Sequence, residues 1–190
     1  MDTFQLFISA IFVNNIVLAQ YLAQCPYLGC SKERSVAVGM GVAVVFVSLI
    51  TTTITWLIQM QVLVPYDLAY LQTIIFILLN AVVVQCLEMF LKKMMPPLYA
   101  ALGIFLPLIT VNCAVLGIAF MVHRLEYSLP TSVLFAAASS TGFLLALVLM
   151  SGIRVRLDTF RAPKSMVGTP QALIMAGLMS MTFMAFKGMI

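Results

Sequence analysis

Charged residues divide this chain into long uncharged runs, and the runs dictate its architecture. Between Asp2 and Lys32 lie 29 uncharged residues, between Arg34 and Asp67 lie 32, and between Asp67 and Glu88 lie 20. In the second half the gaps are 30 residues from Lys93 to Arg124, 27 from Glu126 to Arg154 and 22 from Lys164 to Lys187. A helix needs about 20 residues to cross the hydrocarbon core, so each run holds one crossing and none holds two. The pattern predicts an all-α integral membrane protein with six transmembrane helices. Five of them are expected over residues 4–24, 36–63, 68–91, 132–152 and 171–186, and the remaining one between Lys93 and Arg124.

The pair Pro96-Pro97 follows Lys92-Lys93 and lies almost at the midpoint, where it closes one helix and restarts the chain. It separates residues 1–95 from 96–190, with three helices in each part. Three is odd, so the two parts enter the membrane from opposite sides, and a sequence relation between them makes an inverted repeat. A shift of 88 positions lays Cys25-Pro-Tyr-Leu-Gly29 on Cys113-Ala-Val-Leu-Gly117, with Gln24 or Asn112 before each cysteine and Leu18 on Leu106. Both copies of this amide-Cys-x-x-Leu-Gly pattern fall in the first helix of their half. The second copy closes the stretch 102–117, Leu-Gly-Ile-Phe-Leu-Pro-Leu-Ile-Thr-Val-Asn-Cys-Ala-Val-Leu-Gly. That stretch is apolar enough for lipid yet carries a proline, two glycines, an asparagine and a thiol, each of which needs a partner at bilayer depth. The expectation is two inverted three-helix repeats with an interrupted first helix in each half, and a site near the midplane at their interface.

Composition agrees. The chain is 63% hydrophobic and 8% charged, with a mean hydropathy of +1.13, against about 25% charged residues in ordinary soluble domains. Eight of the ten Lys and Arg residues fall in the turns after helices one, three and five, whereas Arg124 and Lys187 lie on the other side. The positive-inside rule makes the eight-charge side cytoplasmic and puts both termini outside. The net charge of +4 is therefore topological, and no nucleic-acid partner is read from it. The first helix lacks a basic leader and a small-residue cleavage site, which predicts an uncleaved span.

The thiols are the candidate chemistry. A membrane cysteine is ordinarily a small buried hydrophobe, and that is the expectation for Cys30 and Cys86, which have no repeat counterpart. Cys25 and Cys113 differ because the repeat pairs them. At 1.5 Å per helical residue they lie about 10 Å and 16 Å inside opposite charged boundaries, so both approach the middle of a core about 30 Å thick. Two thiolates form half a site, since iron-sulfur clusters and tetrahedral metals take four ligands. A second chain must then supply the rest, either another copy or a homologue. Other polar residues are expected to be structural. Glu88 pairs with Lys92 one turn on, Asn80 and Gln85 bond between helices or line an ion path, and His123 is solvated at a membrane edge. The threonines at 51, 52, 53 and 55 bond back to their own helix or to a neighbour. The basic loop 154–164 marks topology and offers a docking surface for acidic partners, and the 14 methionines suit a pliable interior rather than a copper site.

Stretch 102–117, the preceding Pro96-Pro97-Leu-Tyr, the run Ala81-Val-Val-Val-Gln85 with Glu88, and Ala176-Gly-Leu-Met-Ser180 resemble the RnfA/NqrE family over nearly the whole chain. These are six-helix subunits of the Rnf and Na+-translocating NADH:quinone reductase complexes, and the short turn around Pro65 with Val84-Gln85 is more like RnfA. The resemblance implies a homologous partner of opposite orientation, RnfE-like, and a [2Fe-2S] cluster at mid-membrane held by two cysteines from each subunit. The matching positions are Cys25 and Cys113. It also implies a bacterial inner-membrane location, neighbouring flavin and iron-sulfur subunits, and a role in ion-translocating ferredoxin:NAD+ oxidoreduction with no complete active site in this chain. On that reading Pro26, Gly29 and Gly117 let backbone approach the cluster, and Gln24 and Asn112 offer hydrogen bonds to its sulfurs. The rival readings are an NqrE-like subunit, a small secondary transporter and a structural scaffold.

Overall fold

The computed structural model describes residues 3–63, 71–94, 112–125, 127–157 and 168–185. Among these residues every regular element is helical. Helix α1 (Thr3–Ile8) runs into a π-helical turn (Ser9–Val13), and a short α2 (Gln24–Gly29) is followed by a 3-10 turn (Cys30–Lys32). Helix α3 (Arg34–Ile58) continues as a π-helical turn (Gln59–Leu63), and α4 covers Gln72–Met94. The second half contains α5 (Cys113–Arg124), α6 (Leu129–Leu157) and α7 (Thr169–Met184). The turn around Pro65, the Pro96-Pro97 division, residues 102–111 of the odd stretch, and Arg161 and Lys164 of the basic loop lie outside the described residues.

Helix α6 is the hub. It buries Phe135, Ala136, Ala138, Ser139, Ser140, Gly142, Phe143, Ala146, Leu147 and Met150, which reach round most of its circumference. Its buried small residues let neighbouring backbones come close. Its main partner is α3, whose buried positions Ala37, Met40, Gly41, Val44, Val47, Ser48, Thr51, Thr52 and Thr55 recur at three and four residues. A Cβ on Gly41 would overlap the Leu144 side chain, so glycine sets how closely the two helices approach. Helix α5 packs on both α3 and α6, α4 on α3 and α5, and α7 on α2 and α6.

The outward faces are apolar as well. Val38, Val42 and Phe46 on α3, Ile74, Leu78 and Val82 on α4, and Leu173, Ile174, Leu178 and Met181 on α7 are all exposed. Arg34–Gln61 and Leu129–Leu157 are long and apolar enough to cross a membrane, and Gln72–Cys86 and Cys113–Arg124 are shorter apolar helices. Apolar side chains facing both inward and outward are what a bilayer environment demands.

The helix expected over residues 4–24 does not run through. It stops at Val13, and residues 14–23 follow an irregular path before α2 begins. Asn15 is the cause: its Oδ1 accepts from the backbone N–H of Val17 at 3.1 Å and of Leu18 at 3.3 Å, giving the backbone an alternative to the helix.

Candidate functional site

The centre of the irregular segment is buried, with Ile16, Val17 and Leu18 each at 2% exposure or less, so its backbone polar groups need partners inside the protein. Asn15 Nδ2 donates to Ile11 O at 3.0 Å and to Gly142 O at 2.9 Å, which fastens the break to α6. Ser180 Oγ of α7 donates to Leu18 O at 2.7 Å. Tyr21 and Ala23, the only non-glycine residues with positive φ among the described residues, follow at 55° and 61°. That region costs an L-residue about 1–2 kcal/mol, and such backbone is kept where surrounding contacts enforce it. Here it turns the chain into α2, with Ala23 as the N-terminal flanking residue, Gln24 first and Cys25 second. Pro26 is tolerated in this first turn because its missing N–H would have had no helical partner.

Cys113 occupies the corresponding place in the second half. It is the first residue of α5, behind Asn112, whose Oδ1 caps the helix by accepting from Ala114 N at 2.9 Å. That bond fixes which way the amide faces. Asn112 is 1% exposed, and its Nδ2 is buried without a hydrogen-bond partner among the described residues. Gln24 Oε1, before the other cysteine, is also buried and without a partner among the described residues. Both thiols are exposed on the surface of the single chain.

The segment and α5 lie side by side. A Cβ on Gly117 would stand 2.6 Å from Leu22 Cδ2 and 3.6 Å from Ile16 Cδ1, so the glycine leaves room for Leu22 to close on the helix. One turn further along α5, Met121 Sδ accepts from Gln20 Nε2 at 3.7 Å.

The family model described as "Rnf-Nqr subunit, membrane protein" matches residues 3–190. The chain belongs to the Rnf-Nqr family. The A-type subunit of the Na+-translocating ferredoxin:NAD+ oxidoreductase complex of Acetobacterium woodii is 52% identical over 182 residues, covering 96% of this chain and 95% of the relative. Its counterpart in the ion-translocating oxidoreductase complex of Syntrophotalea carbinolica is 50% identical over 183 residues, with the same coverage. That of Citrobacter koseri is 46% identical over 189 residues, covering 100% of this chain and 98% of the relative. The expected resemblance to the RnfA side of the family holds, and the Rnf-Nqr chain is a membrane protein.

Several expectations change once side chains are placed in this Rnf-Nqr protein. Cys30 is buried at 1% exposure, as a small hydrophobe should be, but Cys86 is exposed on the outer face of α4 together with Gln85. Gln85 therefore forms no buried bond between helices among the described residues. His123 is half-buried with its ring edge-on to Phe76 at 6.3 Å, because the aromatic cluster of α4 and α5 gives it an apolar surface to pack on. Arg154 Nη1 donates to Leu28 O at 2.7 Å and to Ser31 Oγ at 2.9 Å, so this guanidinium is engaged within the chain rather than presented to acidic partners. Of the threonine run, Thr53 bonds back to Leu49 O at 2.8 Å, whereas the hydroxyls of Thr51, Thr52 and Thr55 are buried without partners among the described residues.

Asn15, Ser180 and Arg154 are the residues that sequence reasoning did not connect to the site. In the sequence Asn15 is a polar residue inside an apolar run, and Ser180 is a small residue four positions after Ala176. Their shared task depends on contacts 127 and 162 residues away.

Proposed function

We propose that this chain is the electron-transfer subunit of an Rnf-type ion-translocating ferredoxin:NAD+ oxidoreductase. In this reading Cys25 and Cys113 supply two thiolate ligands to an intramembrane [2Fe-2S] cluster completed by a homologous subunit of opposite orientation. The relatives named above are subunits of such multi-subunit complexes. The halves 1–95 and 96–190 form the inverted repeat, both termini face the periplasm, and the complex sits in the bacterial inner membrane beside flavin and iron-sulfur subunits.

The observation that carries the reading is the register between the irregular segment and α5. Gln20 meets Met121, and Leu22 meets the place a Gly117 side chain would take. Cys113 stands one helical turn before Gly117 on α5, and Gln24 and Cys25 follow Leu22 by two and three residues, so both repeat cysteines belong to the stretches that meet at this contact.

The chemistry of the surroundings fits the group. Cys25 and Cys113 lie in the first turns of α2 and α5, where the exposed N–H groups and helix dipole favour an anionic centre. Asn112 Nδ2 is a buried donor with no partner among the described residues, the kind of group that hydrogen-bonds a cluster sulfur. Both thiols are exposed on the single chain, as a site shared between two subunits requires. When bound, the cluster supplies one-electron chemistry. This chain's residues hold it, aim the thiolates and keep lipid out, with Asn15, Ser180 and Arg154 as positioning residues.

The test is EPR and reduced-minus-oxidised absorption of the intact complex prepared anaerobically. A [2Fe-2S] signal lost on Cys25→Ser and on Cys113→Ser, with the subunits still assembled, is the expected result. A signal unchanged in both variants returns the chain to a scaffold or a transporter.

A further inference from the structure

Helices α3 and α6 run antiparallel: Trp56 near the end of α3 donates to Tyr127 O just before α6, and Gly41 near the start of α3 meets Leu144. Where α3 begins and α6 finishes, a groove of about 450 Å³ opens between them on the outer surface. Helix α3 lines it with Arg34 and Val38, one turn apart, and α6 with Val148, Leu149, Ile153 and Arg156. From Val148 to Arg156 the groove follows α6 for about 12 Å. Val38, Val148 and Leu149 are exposed. A Cβ on Gly152, which also lines the groove, would meet nothing within 4 Å, so the space there is open.

Both arginines stand at the same end of this apolar trough. Arg34 is the first residue of α3, and Arg156 is the last but one of α6. Both are exposed and make no hydrogen bond or ion pair among the described residues. The neighbouring Arg154 differs, being engaged by Leu28 O and Ser31 Oγ. Among the described residues no carboxylate lines the groove. In a membrane protein, charges at helix ends mark the level where hydrocarbon gives way to headgroups. Two free guanidiniums at that level, above an apolar trough open to the lipid, select their occupant. An inorganic anion satisfies the arginines and leaves the trough unused. A zwitterionic lipid fills the trough and brings a cationic group to the arginines. A lipid with a net negative phosphodiester headgroup meets both parts, since guanidinium pairs with phosphate through two parallel hydrogen bonds and basic pockets between transmembrane helices suit such headgroups.

We propose that the groove between α3 and α6 binds one anionic phospholipid, its phosphate held by Arg34 and Arg156 and an acyl chain lying along Val38, Val148, Leu149 and Ile153 over Gly152. The proposal rests on the membrane location of the chain and is independent of the cluster reading. The full-length chain, with the subunits that co-purify in detergent, is titrated with phosphatidylglycerol or with phosphatidylcholine of the same acyl chains, and bound lipid is counted by native mass spectrometry. The first phosphatidylglycerol is expected to bind about tenfold or more tighter than the first phosphatidylcholine. The double variant Arg34→Gln/Arg156→Gln should bring the two lipids level. Gly152→Leu fills the open space with a good helix former. It should likewise abolish the preference although both arginines remain. Arg124→Gln, which removes an exposed charge on α5, should leave the preference intact. Inorganic phosphate in large excess should not displace the lipid. Equal affinity for the two lipids in the wild type would overturn the proposal and return the arginines to acidic protein partners. An unchanged preference in either groove variant, or displacement by phosphate, would overturn it as well.

Discussion

Asn15 donates from Nδ2 to the carbonyl oxygen of Gly142 at 2.9 Å, across 127 residues of sequence, and so fastens the interrupted first helix to the centre of the protein. The same side chain holds Ile11 O, Val17 N and Leu18 N. Asn15→Leu fills the space but strands these groups inside an apolar core. The expected loss is at least about 2 kcal/mol, read as a lower thermal midpoint of the purified complex. Asn15→Asp keeps the acceptor and loses the donor, so it should fall between the wild type and the leucine variant in the same measurement. A leucine variant as stable as the wild type would remove Asn15 from the account.

Arg154 should control the rigidity of the turn that follows Cys25. Its two hydrogen bonds end on Leu28 O, at the C-terminal end of α2, and on Ser31 Oγ. Cys30 lies between these residues in sequence and is 1% exposed. Hydrogen bonds from a charged donor contribute about 1.5–3 kcal/mol each. Arg154→Gln is therefore expected to raise the rate of Cys30 alkylation about tenfold or more. Arg154→Lys, which retains the charge but not the planar fork, should be intermediate. The rates follow from mass spectrometry of the labelled peptide, and equal rates in all three proteins would show that the turn is held by something else.

Close approach of α3 and α6 should depend on one pair. A Cβ on Gly41 collides with the Leu144 side chain, including its Cβ at 3.2 Å, which sits too near the backbone to swing away. Gly41→Ala is expected to destabilise by about 1–3 kcal/mol through overpacking. Leu144→Ala in the same chain should return part of that loss. A double-mutant cycle on unfolding in detergent measures the coupling, and strictly additive effects would contradict the contact.

The helices were largely legible in the pattern of charges, because in lipid an uncharged run of about 20 residues has few other fates. The expected 36–63 became Arg34–Ile58 plus the turn to Leu63, and the expected 132–152 lies within Leu129–Leu157. The break at residues 14–23 was expected as an interruption but not located. Hydropathy sees the run from Asp2 to Lys32 as continuous, and Asn15 breaks it only because Gly142 and the backbone of Val17 and Leu18 take up its side chain. Arg154 was counted as a topological charge for the same reason: a bond spanning 126 residues leaves no local signature. The threonine run was legible as polar, whereas the missing carbonyl bonds of Thr52 and Thr55 belong to side-chain geometry. The paired cysteines came from the repeat pattern, and the structure adds that each stands in the first turn of a helix.

The central claim is that Cys25 and Cys113 act together while Cys30 and Cys86 do not. The most direct measurement is iron per assembled complex, prepared anaerobically, for the four single serine variants beside the wild type. The account predicts a loss of about two irons for Cys25→Ser and again for Cys113→Ser, as removal of one [2Fe-2S] cluster requires, and none for Cys30→Ser or Cys86→Ser. Full iron in the first two variants, or an equal loss in all four, would contradict it.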